Sequence, residues 1–136
     1  MREVTPKLWI GNALEARDLR GLLGIGIEAL VDLAMEEPPL SPTRELIYQR
    51  IPLFDGQGNP PTRIRLAISS VVELVASATP TLVACSAGMS RSPSIVAAAL
   101  SRVNTITLDD ALQQATAGPS DVSPALLADV AAVLEN

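Results

Sequence analysis

Short apolar runs alternate along this chain with longer stretches whose apolar positions recur at helical spacing. Leu8-Trp9-Ile10-Gly11 predicts a short strand ending in a turn. Leu14 to Leu23 has the spacing of a helix, stopped by Gly24 and Gly26. Ile27 to Leu33 predicts a buried strand, followed by a loop rich in Glu and Pro from Glu36 to Pro42. Leu46 to Leu53 predicts a third strand, with Pro52 near its end, where a missing N–H costs least. Asp55 to Pro61 is a loop of Gly, Asn and Pro. A helix from Thr62 to Ala78 follows, with Leu66, Ser70 or Val71 and Leu74 on one face. Thr81 to Ala84 has the character of a strand in the middle of a sheet. After a loop from Cys85 to Arg91 comes an apolar helix from Ser92 to Val103. Two more helices are expected over Leu108–Ala117 and Pro124–Leu134. Interleaved strands and helices imply an α/β fold: three α/β/α layers around a mostly parallel twisted sheet of four to five strands. No repeat or linker divides the sequence, so residues 1–136 are expected to form one domain.

Composition narrows the chemistry. A hydrophobic fraction of 48% supports a core, but aromatics are only 2%, so packing must rest on Leu, Ile, Val and Ala. No apolar run reaches the roughly 18 residues that span a bilayer, and Met1 to Pro6 lacks the apolar segment of a signal peptide. These features predict a soluble, cytoplasmic protein with no membrane partner. A net charge of −5 argues against nucleic-acid binding and requires any anion site to be made by local loop geometry. The single cysteine excludes an intramolecular disulfide. The absence of histidine removes Ser-His, Cys-His and His-metal arrangements together. Chemistry must run on carboxylate, thiol, arginine and backbone, with no metal and no cofactor expected.

Thr81-Leu82-Val83-Ala84-Cys85-Ser86-Ala87-Gly88-Met89-Ser90-Arg91-Ser92-Pro93 supplies those groups. A buried strand ends, five residues separate a cysteine from an arginine, and a helix begins at once. Five residues suffice to curl the backbone so that successive N–H groups converge, with the positive end of the helix dipole beneath them. Gly88 permits a turn that a side chain would obstruct. Arg91 can fork onto two phosphate oxygens. The phosphate-binding set is Ser86, Ala87, Gly88, Met89, Ser90 and Arg91, with the serines acting through their backbones. Met89 and Ala87 are placed at the pocket rim or packed beneath it. A thiolate at the floor of such a cradle is favoured over the thiol and stands in line with the phosphorus of a bound monoester. The helix after the loop, containing Ile95-Val96-Ala97-Ala98-Ala99-Leu100, is apolar nearly all round, as a buried element should be, and Pro93 falls in its first turn.

This segment resembles the signature loop of the protein tyrosine phosphatase superfamily, nearest to its small atypical dual-specificity members. The resemblance extends to Leu8-Trp9-Ile10-Gly11-Asn12 as an opening strand and turn, to Ile27–Ala34 as a second strand, to Ile51-Pro52-Leu53-Phe54-Asp55-Gly56 as an acid-bearing loop and to Val122-Ser123-Pro124 as a late turn. It implies Cys85 as nucleophile, Arg91 as phosphate ligand, Asp55 as general acid and Ser92 as the residue that assists departure of the thiolate. Asp55 lies 30 positions before Cys85, beside Gly56 and Gly58, on a loop expected to move over the site from a strand next to the one feeding Cys85. The family usually has histidine directly before the nucleophile; here the position is Ala84.

The implied activity is metal-independent hydrolysis of phosphomonoesters through a cysteinyl-phosphate intermediate. Its substrate would be a phosphorylated protein (phosphotyrosine, with phosphoserine or phosphothreonine also admitted) or a small phosphomonoester. A phosphate-binding pseudophosphatase, weakened by the missing histidine and used as an interaction module, is the alternative. Rhodanese or arsenate reductase chemistry also uses a loop cysteine, but Asp55 and Ser92 argue against both. Among the remaining residues, Phe54 and Trp9 read as core, and Asp109-Asp110 as the acidic first turn of a helix. Arg44, Arg50, Arg63 and Arg65 read as solvated positions.

Overall fold

Alternation at period two along the central strands divides the core into two layers. A computed structural model describes residues 1–118 and 121–135. Its strands are β1 (Arg2–Thr5), β2 (Leu8–Gly11), β3 (Ala29–Ala34), β4 (Ile47–Leu53) and β5 (Thr81–Ala84). Its helices are α1 (Ala13–Arg17), α2 (Leu19–Gly24), α3 (Pro61–Ala76), α4 (Arg91–Asn104), α5 (Leu108–Ala115) and α6 (Pro124–Leu134). The sheet order is β1-β2-β5-β3-β4, parallel except for the antiparallel β1–β2 pair. On β5 and its neighbours, Val83, Cys85, Val31, Leu33, Leu8 and Ile10 join the larger cluster with α3 to α6. Leu82, Ala84 and Leu30 join the smaller cluster with Ala16 and Leu22 of the first two helices. The expected α/β architecture with five strands is therefore present.

The differences have local causes. The helix expected over Leu14–Leu23 is broken at Asp18, whose carboxylate accepts from Gly21 N–H at 3.0 Å and starts α2 afresh. A Cβ on Gly21 would stand 2.2 Å from that carboxylate, which would have to turn to make room for it. β1 was not expected from the sequence, since its Arg2-Glu3-Val4-Thr5 run carries little apolar signal. On α3 the buried stripe is Ile64, Ala67, Ile68, Val71 and Leu74, while Leu66 is 58% exposed. Phe54 is 48% exposed and stands outside the core. Trp9 packs against the smaller cluster, as expected. Asp109 and Asp110 sit in the first turn of α5, where acids complement the dipole.

The central strand β5 is buried along its whole length, and it leads straight into the loop before α4. Residues 91 to 100 of α4 are all buried. Burying side chains such as Ile95, Val96 and Leu100 stabilises the fold by about 1.5–3 kcal/mol each. A helix held this firmly fixes the loop at its N-terminus. Among the described residues, no helix is long and apolar enough to cross a membrane.

Candidate active site

The carboxyl ends of the parallel strands converge on one pocket of about 330 Å³, lined by Glu36, Asp55, Cys85, Ser86, Ala87, Met89, Ser90, Arg91 and Asp121. Crevices at this end of an open α/β sheet are where ligands bind. Glu36 follows β3, Asp55 follows β4 and Cys85 follows β5. Cys85 is 2% exposed. Gly88 lies behind this pocket, against the turn after β2. Its φ is +74°, and a Cβ there would stand 2.9 Å from both the carbon and the oxygen of the Gly11 carbonyl. The close backbone contact and the positive φ both disfavour larger residues. Gly88→Ala is expected to destabilise the protein by about 2 kcal/mol or more and to reduce oxyanion binding, read by urea denaturation and by titration with inorganic phosphate.

Arg91 is 4% exposed, and three of its donors are occupied. Nη1 donates to Glu36 Oε1 at 2.6 Å and to the Leu53 carbonyl at 2.9 Å, and Nη2 donates to Glu36 Oε2 at 2.7 Å. Guanidinium carries five N–H donors in a planar fork. What remains is Nε–H, which has no partner among the described residues, and the second Nη2 hydrogen on the same edge. That edge is a second fork, free to take two oxygens of a tetrahedral anion. Burial opposes the charge on Arg91, but the Glu36 hydrogen bonds, then the charges of Cys85, Glu36 and Asp55, carry its pKa above the usual arginine value.

Glu36, which the sequence shows only as part of a polar loop, lines the pocket and pairs with Arg91. Hydrogen bonding to Arg91 holds its pKa at about 2, against a smaller opposing effect of burial. Its loop is itself anchored. Arg50 Nη2 donates to the carbonyls of Ala34, Met35 and Glu37, and Arg50 Nη1 donates to the buried Asp32 at 3.1 Å. Tyr48 also donates to Asp32, at 2.7 Å, and accepts from Leu40 N–H. Arg50 is thus a structural clamp rather than a solvated residue. Burial, then the bond to Asp32, push the Tyr48 pKa up. Arg63 donates to the Pro52 carbonyl at 3.2 Å, while Arg44 and Arg65 are exposed.

The Glu36 carboxylate has a folded pKa below its unfolded value of 4.5. Its contribution to stability is therefore full above pH 4.5 and is lost as pH falls towards about 2. The stability difference between the native chain and Glu36→Gln is expected to shrink across that window. Denaturation curves at several pH values between 2 and 7 check it; because Glu36 is more than half exposed, the effect is small.

The strand before Asp55 departs from expectation: β3 stands between β4 and β5, so that strand is one place removed from the strand feeding Cys85. The loop after β4 is bonded to itself through Asn59. Asn59, 6% exposed, accepts from Phe54 N–H at 2.7 Å and donates to the carbonyls of Phe54 and Gly56. Even so, Asp55 lines the same pocket as Cys85. Its Oδ1 accepts from Ser90 Oγ at 2.6 Å, and that Oγ accepts from Ser123 N–H at 2.9 Å. Ser86 Oγ donates to Glu37 at 2.8 Å. Both serine hydroxyls are therefore engaged with carboxylates, which leaves their backbones as the groups expected to face a phosphate. Ser92 does not line the pocket; it is fully buried, and its hydroxyl has no partner.

Comparison with known proteins finds dual-specificity phosphatases among those similar to this chain. Human dual specificity protein phosphatase 9 is 27% identical over 124 residues, which is 90% of this chain and 32% of that protein. The chain thus spans about a third of the length of that relative. Human DUSP28 has the same fold, with a TM-score of 0.83 at 21% identity over 99% of this chain and 96% of that one. A mouse protein assigned as a dual specificity phosphatase, complexed with zinc tungstate, has a TM-score of 0.78 at 28% identity over 98% of this chain and 82% of its own. No protein-family profile matches the chain.

Proposed function

We propose that this chain is a cysteine-dependent phosphomonoester hydrolase of the dual-specificity phosphatase type. The observation that carries the reading is the free Nε/Nη2 edge of a buried Arg91, in one pocket with Cys85 and Asp55. An unpartnered buried guanidinium donor is costly unless a ligand meets it, and a tetrahedral oxyanion has the matching geometry. The helix behind it is open too: Ser90 makes no side-chain cap to α4, which leaves first-turn N–H groups for an anion. Similarity to dual-specificity phosphatases supports the same ligand class, and the mouse relative was crystallised with tungstate, itself a tetrahedral oxyanion.

Each residue then has a defined task. The Cys85 thiolate attacks phosphorus; the P–S bond forms as the bond to the leaving oxygen breaks, and Asp55 gives that oxygen its proton. Water attacks the cysteinyl phosphate in the second step, Asp55 takes its proton, and sulfur leaves as thiolate. Ser92, whose buried hydroxyl has no hydrogen-bond partner among the described residues, is assigned to stabilise that departing sulfur. Arg91 and the loop N–H groups hold charge on the non-bridging oxygens throughout. The substrates are phosphotyrosine proteins, phosphoserine or phosphothreonine proteins, or small phosphomonoesters.

The test is hydrolysis of 4-nitrophenyl phosphate and a phosphotyrosine peptide in EDTA, with and without vanadate. Turnover that survives EDTA and is blocked by vanadate supports the assignment. Oxyanion binding without turnover identifies a pseudophosphatase instead. Activity only with added metal overturns the mechanism.

A further inference from the structure

Ser90 stands where a helix N-cap belongs, and serine is among the residues preferred there. Its hydroxyl nevertheless makes no bond to α4. It donates to Asp55 Oδ1 at 2.6 Å and accepts from Ser123 N–H at 2.9 Å, and the residue is 7% exposed. A hydroxyl has a single proton. With a backbone N–H directed at its oxygen, that proton is committed to Asp55. The contact joins positions 35 apart in sequence, bringing the loop after β4 onto the Cys85–Arg91 loop. The short turn before α6 supplies the third point, since Ser123 also caps that helix by accepting from Leu126 N–H.

We infer that Ser90 is the positioning residue of the acid: it keeps Asp55 Oδ1 as a hydrogen-bond acceptor, so that the catalytic proton is carried on Oδ2. The inference rests on the reading of Asp55 as general acid given above. A carboxyl group has two oxygens, and only one can face a leaving group held over Cys85. An Oδ1 that receives the Ser90 hydrogen bond is the poorer site for a proton of its own. Oδ2 therefore bears the proton that passes to the leaving oxygen when the P–O bond breaks. In the second step the same Oδ2, now unprotonated, receives the proton from attacking water. Ser90 neither gains nor loses a proton in either step. The 2.6 Å contact also fixes the carboxyl plane, as proton transfer at hydrogen-bond range requires.

Ser90→Ala removes the hydroxyl and leaves the backbone N–H in the loop. Loss of one hydrogen bond to a charged group corresponds to roughly a tenfold change in rate. That loss is expected in kcat for a phosphotyrosine peptide, whose leaving oxygen needs a proton in the first step. The acid-dependent loss should be much smaller for single-turnover release of 4-nitrophenolate, which leaves without one. The inhibition constant for tungstate should stay within about twofold, because the oxyanion donors are untouched. Placed on Asp55→Asn, Ser90→Ala should add nothing further. Ser90→Thr, which keeps the hydroxyl, should retain the wild-type ratio between the two esters and serves equally if the alanine variant melts below the assay temperature. Equal losses on both esters, a loss that persists in the Asp55→Asn background, or no loss at all would overturn the role of Ser90. The phosphatase reading itself fails by a different result, namely no vanadate-sensitive turnover by the unsubstituted chain.

Discussion

Cys85→Ser is expected to abolish turnover of phosphate monoesters while inorganic phosphate and tungstate still bind. The two halves of this result have separate causes. Turnover needs an anionic nucleophile, and a serine hydroxyl in the same place holds its proton far too tightly to serve; removal of a nucleophile that works as part of a unit costs on the order of 10⁵-fold or more. In the proposed mechanism binding draws on the free edge of Arg91 and on backbone N–H groups, none of which the substitution alters. Serine is smaller than cysteine at a position only 2% exposed, so the fold should tolerate the exchange. Rates by phosphate release and affinities by calorimetry measure the two effects side by side. Substantial residual turnover would sink the covalent mechanism.

At Arg91 the same two quantities should fall together. Arg91→Lys keeps a positive charge but cannot span Glu36, the Leu53 carbonyl and an oxyanion together. Both binding and turnover should fall with it, by roughly 100-fold for two lost charge-assisted bonds. Comparison of the two variants therefore distinguishes the atom that reacts from the group that holds the substrate.

The parts of this site legible in the sequence are those encoded over a short span. The strand Thr81–Ala84, the six positions from Cys85 to Ser90 and the buried helix from Arg91 are contiguous, and each leaves a local mark: an apolar run, a glycine, a long apolar stretch. What was not legible are side-chain pairs that only the folded chain brings together. Glu36 and Arg91 lie 55 positions apart, and no periodicity or composition announces their bond. The one available signal was positional, since Glu36 lies two residues past a parallel strand at the end where sites form. Arg50 was equally hidden. Its task is to tie the loop over residues 34–37 to Asp32, and an arginine within a half-buried strand gives no sign of which carbonyls it will meet. Phe54 was misplaced for a related reason: aromatic residues average as core, yet this one sits at the top of an edge strand where the sheet has no further neighbour to cover it. The same register explains Ala84. It pairs with Asp32 on β3 and faces the smaller cluster, away from the layer that holds Cys85. A side chain at position 84 would therefore act on the cysteine through the backbone of the loop rather than by contact across the pocket.

Asp55→Asn should produce a loss that depends on what is being expelled. Asparagine keeps an oxygen that can accept from Ser90 at the observed 2.6 Å, so the loop should hold its place. The substitution removes only the capacity to deliver and later collect a proton. General acid–base assistance is worth roughly 10²- to 10⁴-fold, and a phosphotyrosine peptide should lose within that range, because its phenolate holds a proton with a pKa of about 10. Nitrophenolate is a far weaker base and departs without help, so its release in a single turnover should be nearly unimpaired. The second step differs, since water must lose a proton whichever ester was used. Steady-state turnover of 4-nitrophenyl phosphate should consequently fall while its first turnover stays fast, giving a burst of nitrophenolate close to one equivalent per Cys85. Stopped-flow absorbance measures the burst, and acid quench should trap phosphate bound to the protein at the same amplitude. Among the described residues, two other carboxylates bonded to this loop are engaged elsewhere on it, Glu36 with Arg91 and Glu37 with Ser86, which leaves Asp55 as the acid beside Ser90. Equal losses for the two esters, with no burst, would make Asp55 a structural link between the loops and return the acid to an unassigned group.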